Sequence, residues 1–239
     1  MKEIDIYQVD AFSGQLFGGN PAAVCPLDAW LGDELMQHIA AENNLSETAF
    51  FVENSAGFSI RWFTPTNEVK LCGHATLASA YVIFNHIKPE LNEIIFDSLS
   101  GPLIVKRQEN NLIQLNFPVI PSWQIERLPE VSAALGATPN KLYQSKQDYV
   151  AVFNDEKTIK EIQPDFSQLM KLDLRGISVT AASGRYDFSS RYFVPKCGVN
   201  EDPVTGSAHC VLAPFWANQL DKNQLIAYQA SKRGGANSV

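Results

Sequence analysis

The chain has 239 residues, 45% of them hydrophobic and 19% charged, with a formal net charge of −7. That is enough for one large or two small domains with real cores, and its acidity excludes extended nucleic-acid binding, which needs clustered Lys and Arg. No apolar run approaches the ~18–20 residues of a membrane span, and the charged, alternating start MKEIDIYQVD is not that of a signal peptide. Four cysteines (Cys25, Cys72, Cys197, Cys210) at wide, unpatterned spacings read as reduced thiols of a cytoplasmic protein.

Taken in order, EIDIYQV alternates as a half-buried strand with Ile4 and Ile6 on one side. GDELMQHIAAENN predicts a helix whose apolar stripe runs through Leu35, Met36, Ile39 and Ala40. SIRWF alternates again, with Ile60 and Trp62 inward. HATLASAYVIFNH predicts a helix that is apolar nearly all round, hence buried. GPLIVKRQENNLIQLNF predicts a hairpin turning at Glu109-Asn110-Asn111. Two prolines in FPVIPSW mark a boundary, which divides the chain into domains 1–117 and 118–239. Beyond it, LPEVSAALGA predicts a short helix, YVAVF and GISVTAAS strands, and PDFSQLMKLD a helix with proline near its start. SAHCVLAPFWANQ predicts a second buried helix that Pro214 should bend.

The two halves share a grammar. RWFTP at 61–65 is followed after seven residues by Gly73-His74-Ala75, and RYFVP at 191–195 after ten by Gly206-Ser207-Ala208. A strand ending in Phe-x-Pro, an acidic loop, a Gly-polar-Ala turn and a small apolar helix therefore occur twice. Such duplicates pack about pseudo-two-fold axes, and ligand sites favour the interfaces between them.

Each helix start leaves its first N–H groups without intrahelical partners and carries partial positive charge. Glycine there lets an anion approach the backbone. Gly73 and Gly206 are thus candidate backbone donors to a carboxylate or enolate, with His74 and Ser207 adding side-chain hydrogen bonds. The ordinary reading is a pair of helix caps, with Asp202 a loop brace. Glu47, between a helix and an apolar strand, suits a general acid or base if buried; its ordinary reading is a solvated loop residue. Cys72 stands at a helix start, where a thiol is activated, but Thr205 occupies the matching place. Metal ligation by Cys72, His74, His209 and Cys210 fits no usual spacing. No G-x-G-x-x-G, Walker loop or G-x-S-x-G elbow is present.

VDAFSGQLFGGNPAAVC, AAENNLSETAFF, IRWFTPTNEVKLCGHATLASA and DFSSRYFVPKCGVNEDPVTGSAH, with QASKRGG after them, resemble the phenazine-biosynthesis PhzF-like family, relatives of diaminopimelate epimerase. The resemblance implies an α+β fold of two pseudo-symmetric domains, each a curved sheet or half-barrel around a central helix, with the active site in the cleft between them. It implies a cofactor-independent isomerase that moves a proton between carbons of a small carboxylic acid. Glu47 would carry the proton, His74 and Asp202 would assist, and Asn20, Cys72, Gly73, Gly206 and Ser207 would hold the substrate. No metal takes part in that reading, and a homodimer is open to it, as many relatives are dimeric. Two departures qualify it. Thr205 replaces the second thiol of the epimerases, which disfavours two-thiol racemisation, and relatives continue through further strands where this sequence ends. The alternatives are a catalytically silent metabolite-binding protein of the same fold and a Cys72-dependent racemase or epimerase.

Overall fold

The computed structural model describes residues 3–239. The chain forms two compact units, one built from the residues up to Ala11 together with Asn20–Phe117, the other from Phe12–Gly19 and Pro118–Val239. The excursion of residues 12–19 into the second unit has no signature in composition.

In the first unit the order is β1 (Tyr7–Ala11), β2 (Asn20–Leu27), α1 (Asp33–Asn43), β3 (Glu47–Asn54), β4 (Gly57–Phe63), β5 (Glu68–Val69), α2 (Gly73–Val82), β6 (Glu93–Asp97), β7 (Leu103–Arg107) and β8 (Ile113–Leu115). The strands form one sheet in the order β1-β2-β3-β4-β6-β7-β8, with β5 added to β4. The sheet curls around α2, which packs on β1, β2, β3 and β8. Small side chains explain why a helix fits inside: Ala75, Ala78, Ser79 and Ala80 are all buried. Strand β3 is covered on both faces, so its sequence is a continuous apolar run rather than an alternation. Ala49 and Phe51 join the core around α2, while Phe50 joins Met36 and Ala40 beneath α1.

The second unit contains β9 (Trp123–Ile125), α3 (Pro129–Leu135), β10 (Lys141–Gln144), β11 (Asp148–Val152), α4 (Glu156–Glu161), α5 (Phe166–Leu169), β12 (Gly176–Ala182), β13 (Phe188–Val194), β14 (Val199–Asp202), α6 (Gly206–Leu220), β15 (Ile226–Gln229) and β16 (Gly235–Ser238). Its sheet runs β16-β15-β13-β12-β11-β10-β9, with β14 added to β13. Helix α6 fills the equivalent of α2's place: Ala208, Val211, Leu212 and Trp216 pack with Val150, Phe188 and Tyr192.

The correspondence extends to strand directions. β2 pairs parallel with β3, β3 antiparallel with β4, and β4 parallel with β6. β11, β12, β13 and β15 repeat that series of parallel, antiparallel and parallel pairings. One ion pair is duplicated as well. Arg61 on β4 donates from Nε and Nη2 to Glu68 on β5 at 2.7 and 2.8 Å. Arg191 on β13 donates from the same two atoms to Glu201 on β14 at 2.7 and 3.0 Å. The repeated Arg-aromatic-Phe of the two strands thus carries a fork that clamps the short strand before each helix.

Several elements depart from the expected ones. Strand β1 begins at Tyr7, leaving Ile4 and Ile6 outside it, and Ile6 is exposed. On α1 only Met36 and Ala40 are buried, and Leu35 faces out. The helix in PDFSQLMKLD is a single turn, Phe166–Leu169, capped at its start by Asp165, which accepts from the Ser167 and Gln168 amides. The hairpin at 108–112 is present, with Asn111 at φ 62° and the Gln108 amide donating to the Leu112 carbonyl at 2.8 Å.

Pro214 lies inside α6, yet the helix is unbroken over its 15 residues. Lacking an N–H, it frees the carbonyl four residues earlier. That carbonyl, of Cys210, accepts instead from the Ile120 amide at 3.0 Å. No helix among the described residues is long and apolar enough to cross a membrane.

Candidate active site

In the first unit, strand β3 starts with Glu47, aligned with Ala22 of the parallel β2. Helix α2 starts at Gly73, so His74 is its second residue and Cys72 its N-cap, in extended conformation at φ −143° and ψ 114°. These elements bring three side chains together. His74 Nε2 lies 3.3 Å from Glu47 Oε2, and Cys72 Sγ lies 3.5 Å from His74 Nδ1. The imidazole is buried, and the Glu47 side chain is 19% exposed. Glu47 is therefore a half-buried carboxylate at the mouth of the cluster, not a solvated loop residue. Asn20, fully buried, opens β2 opposite Ala11.

Burial pushes the His74 pKa down to about 4, against a smaller opposing effect of the Pro21 carbonyl. The ring is consequently neutral near pH 7 and can offer one N–H and one lone pair. No side chain caps α2: Cys72 makes no capping hydrogen bond, and Thr76 Oγ1 donates to the Cys72 carbonyl at 2.6 Å. The backbone N–H groups at Gly73 and His74 are thus at an uncapped, positively polarised end.

The second unit holds the other expected residues. Asp202 ends β14, and Thr205 is the N-cap of α6, followed by Gly206 and Ser207, both partly exposed. Thr205 Oγ1 donates to Asp202 Oδ2, so this hydroxyl braces the carboxylate and does not cap the helix. Of the acidic pair at 201 and 202, Glu201 is held by Arg191 and is structural.

Sequence reasoning missed the residue that organises this turn. Gln229 is fully buried; its Oε1 accepts from the Thr205 amide at 2.8 Å, and its Nε2 donates to the Asp202 carbonyl at 2.7 Å and to Thr205 Oγ1 at 3.1 Å. It opens the segment QASKRGG, which also ties down residues 12–19. Arg233 donates to the carbonyls of Gly19 and Gly18 at 2.9 and 3.2 Å. A Cβ at Gly235 would stand 2.5 Å from Val204 Cγ2 and 3.0 Å from the Phe12 carbonyl oxygen. The only signal for these roles was the run of polar and glycine residues itself.

His209 is buried with Nδ1 2.7 Å from the Thr205 carbonyl, and burial lowers its pKa. Cys25 and Cys210 are pushed up by burial to about 12 and about 11, which keeps both as inert thiols.

A carboxylate beside a neutral imidazole and an uncapped helix end can exchange a proton with a carbon acid while its negative charge is held. Comparison with known proteins supports an isomerase-type function. A family model described as phenazine biosynthesis-like protein matches residues 9–239. An uncharacterized isomerase of Pseudomonas aeruginosa is 49% identical over 98% of this chain and 89% of its own length. The crystal structure of a PhzF-family phenazine biosynthesis protein of Enterococcus faecalis superposes with a TM-score of 0.95 at 48% identity, covering 98% of this chain and 90% of that one. A predicted epimerase of Pseudomonas aeruginosa shares the fold at 18% identity, with a TM-score of 0.75 over 99% of this chain and 91% of that one.

Proposed function

Since the chain belongs to the phenazine biosynthesis-like family of isomerases, we propose that it shifts a proton between carbons of a small carboxylic acid, with Glu47 as the acid and base. The observation that carries this reading is the 3.3 Å approach of Glu47 Oε2 to the buried His74 ring at the start of α2.

The steps balance without another reactant. The Glu47 carboxylate takes a proton from a carbon adjacent to the substrate's carboxylate or its vinylogue, and the electron pair delocalises into an enolate-like system. The same carboxyl group returns the proton to a different carbon, so substrate and product are isomers. The N–H group at Gly73 would hold the negative charge, which a helix N-terminus favours, and Gly206 is given the same role on the strength of the family motifs alone. His74, neutral near pH 7, would donate a hydrogen bond without protonating the intermediate. Asp202, Ser207, Asn20 and Cys72 are assigned to holding the substrate on the strength of the family motifs.

The test is solvent exchange. Candidate carboxylic acids incubated with the protein in deuterated water should gain label at carbon. Glu47→Gln should slow this by ~10²–10⁴-fold, the range for loss of an acid–base group. Exchange at the unaltered rate in Glu47→Gln would remove Glu47 from the role.

A second reading, a Cys72-dependent racemase, draws on the thiol 3.5 Å from His74 Nδ1. It predicts that Cys72→Ala abolishes turnover. Single-carboxylate isomerisation is favoured because Thr205 is the N-cap of α6 where Cys72 is that of α2.

A further inference from the structure

The cluster that would carry the proton is also a set of metal donors. Glu47, Cys72 and His74 each offer one ligand atom, and the three lie within 4.8 Å of one another. Thiolate, imidazole and carboxylate are the donor types zinc takes, at about 2.3 Å for sulfur and about 2.0–2.2 Å for nitrogen and oxygen. In a tetrahedron with those bond lengths, neighbouring donors stand ~3.3–3.6 Å apart. The 3.3 Å between Nε2 and Oε2 falls in that range, and Cys72 Sγ belongs to the same cluster, whose three ligand atoms lie within 4.8 Å of one another. A single ring nitrogen must serve as ligand. Nε2 is the suited one, because it is enclosed, makes no hydrogen bond of normal geometry and faces the carboxylate.

We infer that Glu47, Cys72 and His74 form a three-donor site for Zn2+ and that zinc bound there is a reversible inhibitor of the enzyme. Three protein ligands leave a fourth position for water or a substrate oxygen. Spacing in sequence hides the site: Cys-x-His fits no finger pattern, and the carboxylate arrives from a different strand 25 residues upstream of Cys72. Binding would occupy the lone pair with which Glu47 takes its proton. The inhibitory part rests on the function proposed above, whereas the binding does not.

The two parts are separable by experiment. The full-length chain, stripped with a chelator, is titrated with Co2+ as an optical probe and with Zn2+ in competition. The expected result is one equivalent bound, with a thiolate-to-cobalt charge-transfer band and the intense visible bands of a tetrahedral ion. Cys72→Ser should lose the charge-transfer band and weaken Zn2+ by more than the ~10–100-fold typical of an outer-shell partner. Cys197→Ser, which alters the exposed cysteine, should leave both unchanged. His74→Gln gives a second variant that keeps the thiol but loses the nitrogen donor, and should lower affinity to a similar degree. Absence of a charge-transfer band in the unaltered protein, or its survival in Cys72→Ser, overturns the site. If the band behaves as expected but zinc leaves deuterium exchange unaffected, the site stands and its inhibitory role falls. If no exchange occurs even without zinc, it is the isomerase reading that fails, while the optical titration still decides the metal site.

Discussion

The duplicated arginine fork permits a mutational comparison inside one molecule. Arg191→Met and Arg61→Met remove the same group from equivalent strands, but their surroundings differ. The Arg191 and Glu201 side chains are 10% and 21% exposed, against 23% and 27% for Arg61 and Glu68. Nη1 of Arg191 also donates to the carbonyls of Ile159, Lys160 and Ile162 at 3.1, 3.3 and 2.8 Å. The corresponding atom of Arg61 donates instead to Asp33, whose side chain is 77% exposed. Removing Arg191 therefore leaves a half-buried carboxylate and three carbonyls without their donor, a loss of about 3 kcal/mol, at the lower end for a broken buried pair. Water can replace most of what Arg61 supplies, so its removal should cost about 1 kcal/mol. Because the chain forms two compact units, a single melting transition is not assumed. Native-state hydrogen exchange, read separately at amides of β4 and β13, measures each loss in its own unit. Equal losses, or a larger one at Arg61, would refute the claim that burial and the extra carbonyls decide the difference.

Three further outcomes follow from the same geometry. His74 titrates near 4 when folded against about 6.5 unfolded, so the unfolded chain binds the extra proton between those values. Its contribution to stability is intact above pH 6.5 and is lost as pH falls toward 4, by ~2 kcal/mol at pH 5 and ~3 in total; urea midpoints across this range should fall less steeply in His74→Asn, and an NMR titration placing the ring above 6.5 would contradict burial as the dominant effect. Gln229→Leu leaves the buried Thr205 amide without its acceptor and should cost ~1–3 kcal/mol, read as faster exchange at the start of α6; unchanged exchange there would deny Gln229 its organising role. Gly57 sits at φ +144° with a Cβ position 2.4 Å from the Ile95 carbonyl oxygen, so Gly57→Ala should weaken the β4–β6 pairing by more than the ~1 kcal/mol of a typical single substitution, and an unaltered melting curve would speak against it.

What could be read from the residues follows from the range of the forces involved. Helix α3 was legible because its signals are local: Pro129 at the start and Gly136 at φ +66° at the end. The duplication was legible because Arg61-Trp62-Phe63 and Arg191-Tyr192-Phe193 keep their order, although the forks they carry were not foreseen. Strand β1 was placed too early because Ile4 and Ile6 alternate correctly, yet the ladder with β2 begins only at Tyr7, opposite Val24, although β2 itself continues to Leu27. Helix α5 was placed too long because apolar spacing cannot reveal where the chain must turn. At the site, Glu47, Cys72 and His74 were each singled out, but their approach depends on β2 and β3 lying beside α2. Gln229 had no local signal, since its partners at Asp202 and Thr205 lie 27 and 24 residues away.

The proline of α6 has a consequence beyond its own helix. By surrendering the Cys210 carbonyl to Ile120, it staples a segment that has no regular secondary structure to the helix whose side chains pack with Val150, Phe188 and Tyr192. The Ile120 amide is therefore a reporter of α6 integrity, protected from exchange for as long as the helix holds its shape. Pro214→Ala would supply a competing amide to the same acceptor, and the staple would have to share it.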